Sequence, residues 1–295
     1  MKVLGIVAEY NPFHNGHLYH IEKSRSLSGA NCVVVVMSGN FTQRGEPAIV
    51  DKWARAEIAV ECGADLVIEL PCVYAMSSAE YFAFGAVKIL DSLNIVDVIC
   101  FGSECGSIEK MDIIAAVLAD EPDDYKQLLK ASLSKGLSFP AARQEALSVY
   151  LKENSCYHDQ HDLSNILESS NNILGIEYLK ALRRLNSSIT PMTIRRTGSS
   201  YNSAELSGKF SSATSIRNII AKHGWNDGLR LLDNILPEKT LEILRREFEA
   251  GRGPVLPDDF SMLILSSLRK MTKEELRNLP YMEYGLYNRF KAAAE

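Results

Sequence analysis

The chain has 295 residues, 46% hydrophobic and 23% charged, with a formal net charge of −5. This length suits one large domain or two ordinary ones with a real buried core, and the charge excludes a uniformly basic nucleic-acid coat while leaving room for a local patch. The opening "MKVLGIVAEY" is too short an apolar run for a signal peptide, and no stretch approaches the length of a membrane span. The six cysteines (32, 62, 72, 100, 105 and 156) form no C-x-x-C pair and read as buried or free thiols in a reducing compartment. The expected class is therefore a cytoplasmic α/β protein.

In chain order, "VLGIVA" (3–8), "CVVVVM" (32–37), "DLVIEL" (65–70) and "VDVICFG" (96–102) are short apolar runs rich in valine and isoleucine. Helix-like stretches lie between them, around 16–28, 51–62 and 77–92. Strands apolar on both faces and separated by helices predict a parallel sheet covered on both sides. Asp51 suits an N-cap for the second helix, and "SSAE" (77–80) has the capping-box pattern for the third. From 108 to 185 the pattern turns helical. A short strand-like piece, "ITPMTIRRT" (189–197), follows, and then "FSSATSIRNIIAK" (210–222), a serine-rich helix start. From 226 onward helices are joined by "LP" and "GRGP" breaks. The expected division is a domain over 1–222, with a helical insertion at about 108–185, and a helical C-terminal region over 226–295.

In a parallel α/β sheet, ligands bind beyond the carboxyl ends of the strands. The first such loop, "EYNPFHNGHLYH" (9–20), holds half of the six histidines. His14 and His17 fall where strand gives way to helix, so their side chains converge on unpaired N–H groups and the positive end of a helix dipole. Gly16 between them lets a ligand approach the backbone. Two imidazoles beside a phosphate can donate hydrogen bonds and offset developing charge. This describes a nucleotide-phosphate site without a P-loop; neither G-x-x-x-x-G-K-[ST] nor G-x-G-x-x-G occurs in the chain. Any one histidine is explained by capping or packing, but three of them with Gly16 at the binding edge favour function. A metal site ranks below the nucleotide, because His14, His17 and His20 are spaced i, i+3, i+6 whereas zinc pairs more often use i, i+4.

Other polar residues fit the same site. "SSATSIR" (211–217) offers hydroxyls and free N–H groups at a helix start, with Arg217 one turn in. Gln43, Arg44 and Glu46 lie in the second binding-edge loop; Lys52 could reach a phosphate, and Arg55 opens the same helix. Asn172 sits in an apolar helical stretch, where it needs a partner, either backbone or nucleotide.

Together "HNGH" and "SSATSIR" resemble the motifs of the HxGH nucleotidyltransferase superfamily. With "MSGNFTQRGEPAIVDKWARAEIA", "GADLVIELP", "SAEYFAFGAV", "CFGSE" and "NNILGIEYLKAL", most of residues 1–222 resembles the bacterial tRNA(Met) cytidine acetate ligase family. The resemblance implies a Rossmann-like nucleotidyltransferase domain. It also implies an activity: acetate and ATP give acetyl-adenylate and pyrophosphate, and the acetyl group then passes to N4 of the wobble cytidine of elongator tRNA(Met), making N4-acetylcytidine. Carried over, the ATP loop would comprise Val7, Ala8, Glu9, Tyr10, Asn11, Pro12, Phe13, His14, Asn15, Gly16, His17, Leu18, Tyr19 and His20, with His14 and His17 catalytic. Gly102, Asn172, Arg195 or Arg196, Ser212 and Arg217 would complete it. Magnesium would enter through the triphosphate, with few protein ligands and no dedicated metal site.

Residues 177–220 hold seven cations against two acids, a local net of +5 that could meet RNA phosphates; Arg183 and Arg184 are the tRNA candidates. Members of the family continue past the position matching "YGLYNRFKAAAE" into a further basic helical segment. A truncated chain or shorter relative is therefore expected, and tRNA binding is the function that this affects. Two alternatives stay open: an adenylyltransferase acting on a small phosphate ester, and an RNA-binding protein whose nucleotide site is vestigial.

Overall fold

The computed structural model describes residues 1–154, 165–196, 211–280, 282 and 285–295. Cys156, Glu205 and Lys209, which entered the cysteine and charge readings, lie outside the described residues. The chain divides into two compact units, Met1–Pro254 and Val255–Glu295. The helices between the expected boundary at 222–226 and Pro254 thus fall within the first unit.

In the first unit, β1 (Val3–Ala8), β2 (Cys32–Ser38), β3 (Leu66–Leu70), β4 (Val98–Ser103) and β5 (Thr190–Arg195) form one parallel sheet in the order β3-β2-β1-β4-β5. The four apolar runs anticipated from sequence are β1 to β4. The fifth strand carries Pro191, which cannot donate to a ladder, and accordingly lies at an edge with only β4 beside it. Between the strands lie α1 (Asn15–Ser28), α2 (Lys52–Glu61), α3 (Cys72–Ala75), α4 (Ala79–Ser92), α5 (Ile108–Asp120), α6 (Asp123–Ser134), α7 (Phe139–Glu153) and α8 (Ser170–Arg184). After β5 come α9 (Ala213–His223), α10 (Trp225–Leu231) and α11 (Glu238–Glu249).

The strands are apolar on both faces because each face has its own core. Val3, Ile99 and Phe101 pack with residues of α4, α5 and α8 on one side. Leu4, Ile6, Val33 and Val35 pack on the other with Ile21 of α1, Ile58 of α2, Ile216 of α9 and Leu244 of α11. Alternate residues of β1 therefore point to opposite layers, as the period of a strand requires.

Local signals explain most helix ends. The Asp51 carboxylate accepts from Ala54 N at 2.8 Å, and α1 ends on Gly29 in the left-handed region (φ 66°). The expected capping box at 77–80 is absent. The N-cap of α4 is Ser78, without a side-chain hydrogen bond, and the Ser77 hydroxyl donates to the Val73 carbonyl. Glu80 instead accepts from Lys180 and Arg184, each at 2.8 Å. Two cations from α8 outweigh one exposed backbone donor.

The second unit contains a short 3-10 turn (Pro257–Phe260), α12 (Ser261–Lys270), α13 (Lys273–Arg277) and α14 (Leu286–Ala294). Thr272 and Glu275 cap α13 reciprocally, and Lys291 donates to the carbonyls of Leu268, Arg269 and Met271 at the end of α12. Among the described residues no helix is long and apolar enough to cross a membrane, and the five described cysteines are free.

Candidate active site

Strand order reverses at β1: α1 leads from it to β2 on one side, while β4 pairs on the other. Beyond the carboxyl ends of these two strands lies a cleft of about 260 Å³. It is lined by residues of the β1 loop, the 42–46 loop, β4, α8, the end of β5 and the start of α9.

The histidine pair is built by the backbone. His14 is the N-cap of α1, and its Nδ1 accepts from Gly16 N at 3.0 Å. His17, one turn in, returns the arrangement: its Nδ1 accepts from His14 N at 3.3 Å. The two rings stack with centroids 3.7 Å apart and planes 19° from parallel. Burial pushes the His14 imidazolium down to about 3, with the Arg196 charge adding to it. Burial also holds His17 well below its ordinary value, aided by His14, Arg196 and His20, while burial and Arg196 push His20 down to about 4. These imidazoles are neutral near pH 7. Because Nδ1 of His14 and of His17 is an acceptor, the single ring proton of each sits on Nε2. The sequence thus sets two neutral N–H donors side by side at a helix start. The His20 ring also lines the cleft, and among the described residues its buried Nε2 has no hydrogen-bond partner.

Of the other residues in the 7–20 stretch, Val7, Ala8, Glu9, Tyr10, Asn11, Gly16 and Tyr19 line the cleft. Pro12, Phe13, Asn15 and Leu18 do not. Phe13 is fully buried beside the Tyr10 and His17 rings, Leu18 packs on the α1 side of the sheet, and Asn15 bonds the carbonyls of Asn234 and Ile235. Phe13, Leu18 and Asn15 thus support the loop from beneath.

Arg217 reaches across from α9. It donates to the Asn11 carbonyl at 2.8 Å and lies 3.1 Å from the Glu46 carboxylate. Ser212 caps α9, its Oγ accepting from Ser215 N at 3.1 Å, and Ser211, Ala213 and Thr214 line the cleft with it. Gly102, Arg195 and Arg196 line the wall opposite α1, where a Cβ on Gly102 would sit 3.2 Å from Arg196 Cγ.

Asn172 is placed otherwise. It is buried, and its Oδ1 accepts from the backbone N–H of Glu104 and Cys105 at 2.9 and 3.1 Å. Its neighbour Asn171 lines the cleft, with Leu174 and Tyr178. These three share one face of α8 at i, i+3, i+7, a spacing legible in "NNILGIEY" that could have identified them. Gly175 lets that face approach: a Cβ there would meet Phe101 at 2.7 Å. Lys52 pairs with Glu69 at 2.6 Å. Arg183 is bound to Asp112 and Arg184 to Glu80, both outside the cleft lining.

Among the described residues Arg55 is the largest fully buried side chain. It donates to the carbonyls of Glu9, Ser38, Gly39 and Val50, and so ties the ends of β1 and β2 together. Burial lowers its pKa to about 10, which leaves it charged near pH 7. Glu9 lies in the cleft wall. Burial raises its carboxyl pKa, against the hydrogen bond from Gln43 N and the charges of Arg217, Arg55 and Arg44. Among the described residues no cluster of three His, Cys, Asp or Glu side chains is arranged to hold a metal ion.

A switch-point cleft with a paired-histidine helix start and a serine-capped helix carrying an arginine defines a nucleotidyltransferase. The chain matches the family described as HIGH Nucleotidyl Transferase over residues 1–295. It is 54% identical over 295 residues to a tRNA(Met) cytidine acetate ligase of Acetivibrio thermocellus, covering all of this chain and 70% of that protein. It is 53% identical to that of Caldanaerobacter subterraneus subsp. tengcongensis, again covering 70% of the relative. Two crystal structures of Thermotoga maritima TmcAL, 44% identical, superpose over the whole chain: the apo form with a TM-score of 0.94 and the form bound with alpha-thio ATP with 0.91. The chain covers 68% and 67% of those chains. It belongs to the tRNA(Met) cytidine acetate ligase family.

Proposed function

We propose that the protein is an ATP-dependent ligase that activates acetate as acetyl-adenylate, releases pyrophosphate and acetylates N4 of the wobble cytidine of elongator tRNA(Met). The observation that carries the chemistry is the stacked His14–His17 pair, two neutral Nε2–H donors at a helix start, in one cleft with Ser212 and Arg217. Acetate is already a carboxylate at neutral pH and needs no base to attack the α-phosphorus. The work is alignment and stabilisation of the charge that builds on the phosphoryl oxygens. His14 and His17 supply donors, catalytic in this reading, that require no change of protonation. Ser212 and Arg217 hold the outer phosphates, and Arg195 or Arg196 with Gly102 borders the nucleotide. The main chain of residues 7–20 forms the bed of the ATP site, while Asn172 serves it by fixing the loop after β4.

Among the described residues the cleft is lined by two carboxylates, Glu9 and Glu46, the latter paired with Arg217. That sparse acidic lining fits a magnesium ion held through the oxygens of the triphosphate itself. Residues 1–222 contain every group named here, and this part would act as the catalytic domain. Arg183 and Arg184 remain the RNA candidates, and the setting is the cytoplasm, where tRNA resides.

ATP–pyrophosphate exchange measured with and without acetate, in the absence of RNA, tests the first half. Acetate-dependent exchange is expected. Transfer of labelled acetate to tRNA(Met) tests the second half; failure of both assays would sink the assignment.

A further inference from the structure

The ligase reading needs a second substrate beside the adenylate, and the cleft has a second wall. Odd residues of β1 face the layer of α4 and α8: Val3 and Val7 pack there. Even residues face the layer of α1 and α9, where Leu4, Ile6, Ala8 and Tyr10 pack. Glu9 continues the odd series directly after the strand, and its carboxyl charge is felt by Tyr178 of α8. The helices that bring His14, His17, Ser212 and Arg217 lie on the even side. The Glu9 carboxyl therefore stands between the two walls, reaching Tyr178 on one side while the charge of Arg217 acts on it from the other.

Its surroundings suit a planar base. Phe82 of α4 and Tyr178 of α8 line the same wall, and Phe101 lies 5.4 Å from the Tyr178 ring, centroid to centroid. Aromatic faces of this kind take up an unstacked nucleobase. Glu9 Oε1 is held by Gln43 N at 2.7 Å, and among the described residues no hydrogen bond engages Oε2. Gln43 is itself anchored, its Nε2 donating to the Ser77 carbonyl at 3.1 Å. This is a fixed carboxylate with one open oxygen beside aromatic rings. A carboxylate accepting from the exocyclic amine is the ordinary protein partner of cytosine.

Resting on the ligase reading, we infer that Glu9 binds the exocyclic amino group of the acceptor cytosine and takes its proton during acetyl transfer. The amine lone pair is delocalised into the ring, so the nitrogen is a weak nucleophile until it sheds a proton. In the step, N4 attacks the carbonyl carbon of acetyl-adenylate and the C–N bond forms. The bond from that carbon to the phosphate oxygen breaks, and AMP departs with the electron pair. The N4 proton passes to Oε2 of Glu9 and then to solvent. Burial supports the role, since it raises the basicity of Glu9 above that of an exposed carboxylate. Arg44, Arg55 and Arg217 face the same group, and their charges pull the other way, toward the ionised form. Tyr178, whose phenol burial holds protonated, adds no competing charge.

Glu9→Gln is the discriminating variant, because the amide oxygen can still accept from Gln43 N while the basic oxygen is lost. Acetate-dependent exchange and acetyl transfer to tRNA(Met) are measured on the same preparations, with melting curves. Wild-type protein lacking exchange overturns the ligase reading itself. Given wild-type exchange and transfer, Glu9→Gln is expected to lower transfer about 100-fold, at least tenfold more than it lowers exchange. The acidic limb of the wild-type transfer–pH profile should vanish with it. Glu9→Asp, which keeps a carboxylate, should retain that limb at reduced rate. Transfer by Glu9→Gln within threefold of wild type, or an equal fall in both assays, overturns the role of Glu9. Loss of the limb in a folded Glu9→Asp overturns it as well.

Discussion

The imidazoles of His14 and His17 are held in a reciprocal pair, each Nδ1 taking a backbone N–H from the other's turn while the rings stack at 3.7 Å. One cap thus fixes both the helix start and the direction of two N–H donors. Residues chosen only to cap would be serine or aspartate; histidine adds a second nitrogen at the far end of a rigid ring.

Replacing His17 separates the two roles. In His17→Asn the short amide can still accept from His14 N, but nothing reaches where Nε2 stood. We expect exchange to fall about 100- to 1000-fold, the range for loss of one donor at developing charge, with a melting temperature near wild type. Unchanged exchange in this variant would remove His17 from the reaction.

Acid should weaken the fold through the same cluster. Folded His14 and His20 are pushed down to about 3 and about 4, while in the unfolded chain they return to about 6.5. Between those values the unfolded state binds more protons, so stability is complete above pH 6.5 and is lost as pH falls toward 4. The slope is at most about 1.4 kcal/mol per pH unit for each imidazole. Denaturant midpoints at pH 7, 6 and 5 should decline, and His20→Gln should make the decline shallower. Equal midpoints at all three would contradict the buried neutral assignment.

Removing Arg55 should be costly without touching a ligand. Arg55→Met strips the donors from four carbonyls, three of them buried, and we expect about 3 kcal/mol or more of destabilisation by chemical denaturation. Because the Glu9, Ser38 and Gly39 carbonyls lie at the ends of β1 and β2, affinity for ATP should fall in the same variant. A loss under 1 kcal/mol would mean water replaces the guanidinium.

The RNA candidates give a salt test. Arg183 and Arg184 are half-exposed and already sit on Asp112 and Glu80. If they also meet phosphates, Arg183→Ala with Arg184→Ala should reduce the slope of log K against log salt for tRNA(Met) by about one per arginine. An identical slope would assign both to their ion pairs alone.

The sheet was legible because "CVVVVM" and its companions are apolar without alternation, which only a strand covered on both faces tolerates. Asp51 announced its helix equally well. The histidine loop was legible as a ligand edge from Gly16 and the spacing of His14 and His17. Buried tertiary pairing was not. Arg55 reads as an ordinary cation in a helical first turn, Glu80 reads as a cap, and Lys52 reads as free to reach a phosphate. Apart from the Val50 carbonyl, their partners lie 16 to 104 residues away in sequence, where no local pattern registers them. Asn171 and Asn172 make the same point: a single residue's step around the helix decides which faces the cleft and which holds a loop.

The bond from Arg217 to the Asn11 carbonyl spans 206 residues, and Asn15 bonds the carbonyls of Asn234 and Ile235. During synthesis the ribosome releases the histidine loop first and its partners among the last parts of this unit. A nascent chain halted before α9 can carry both imidazoles yet lacks the guanidinium that bonds the Asn11 carbonyl of their loop. The cleft is therefore closed late, once the first unit is nearly complete, and under the proposed function an unfinished copy would have little means of sequestering nucleotide.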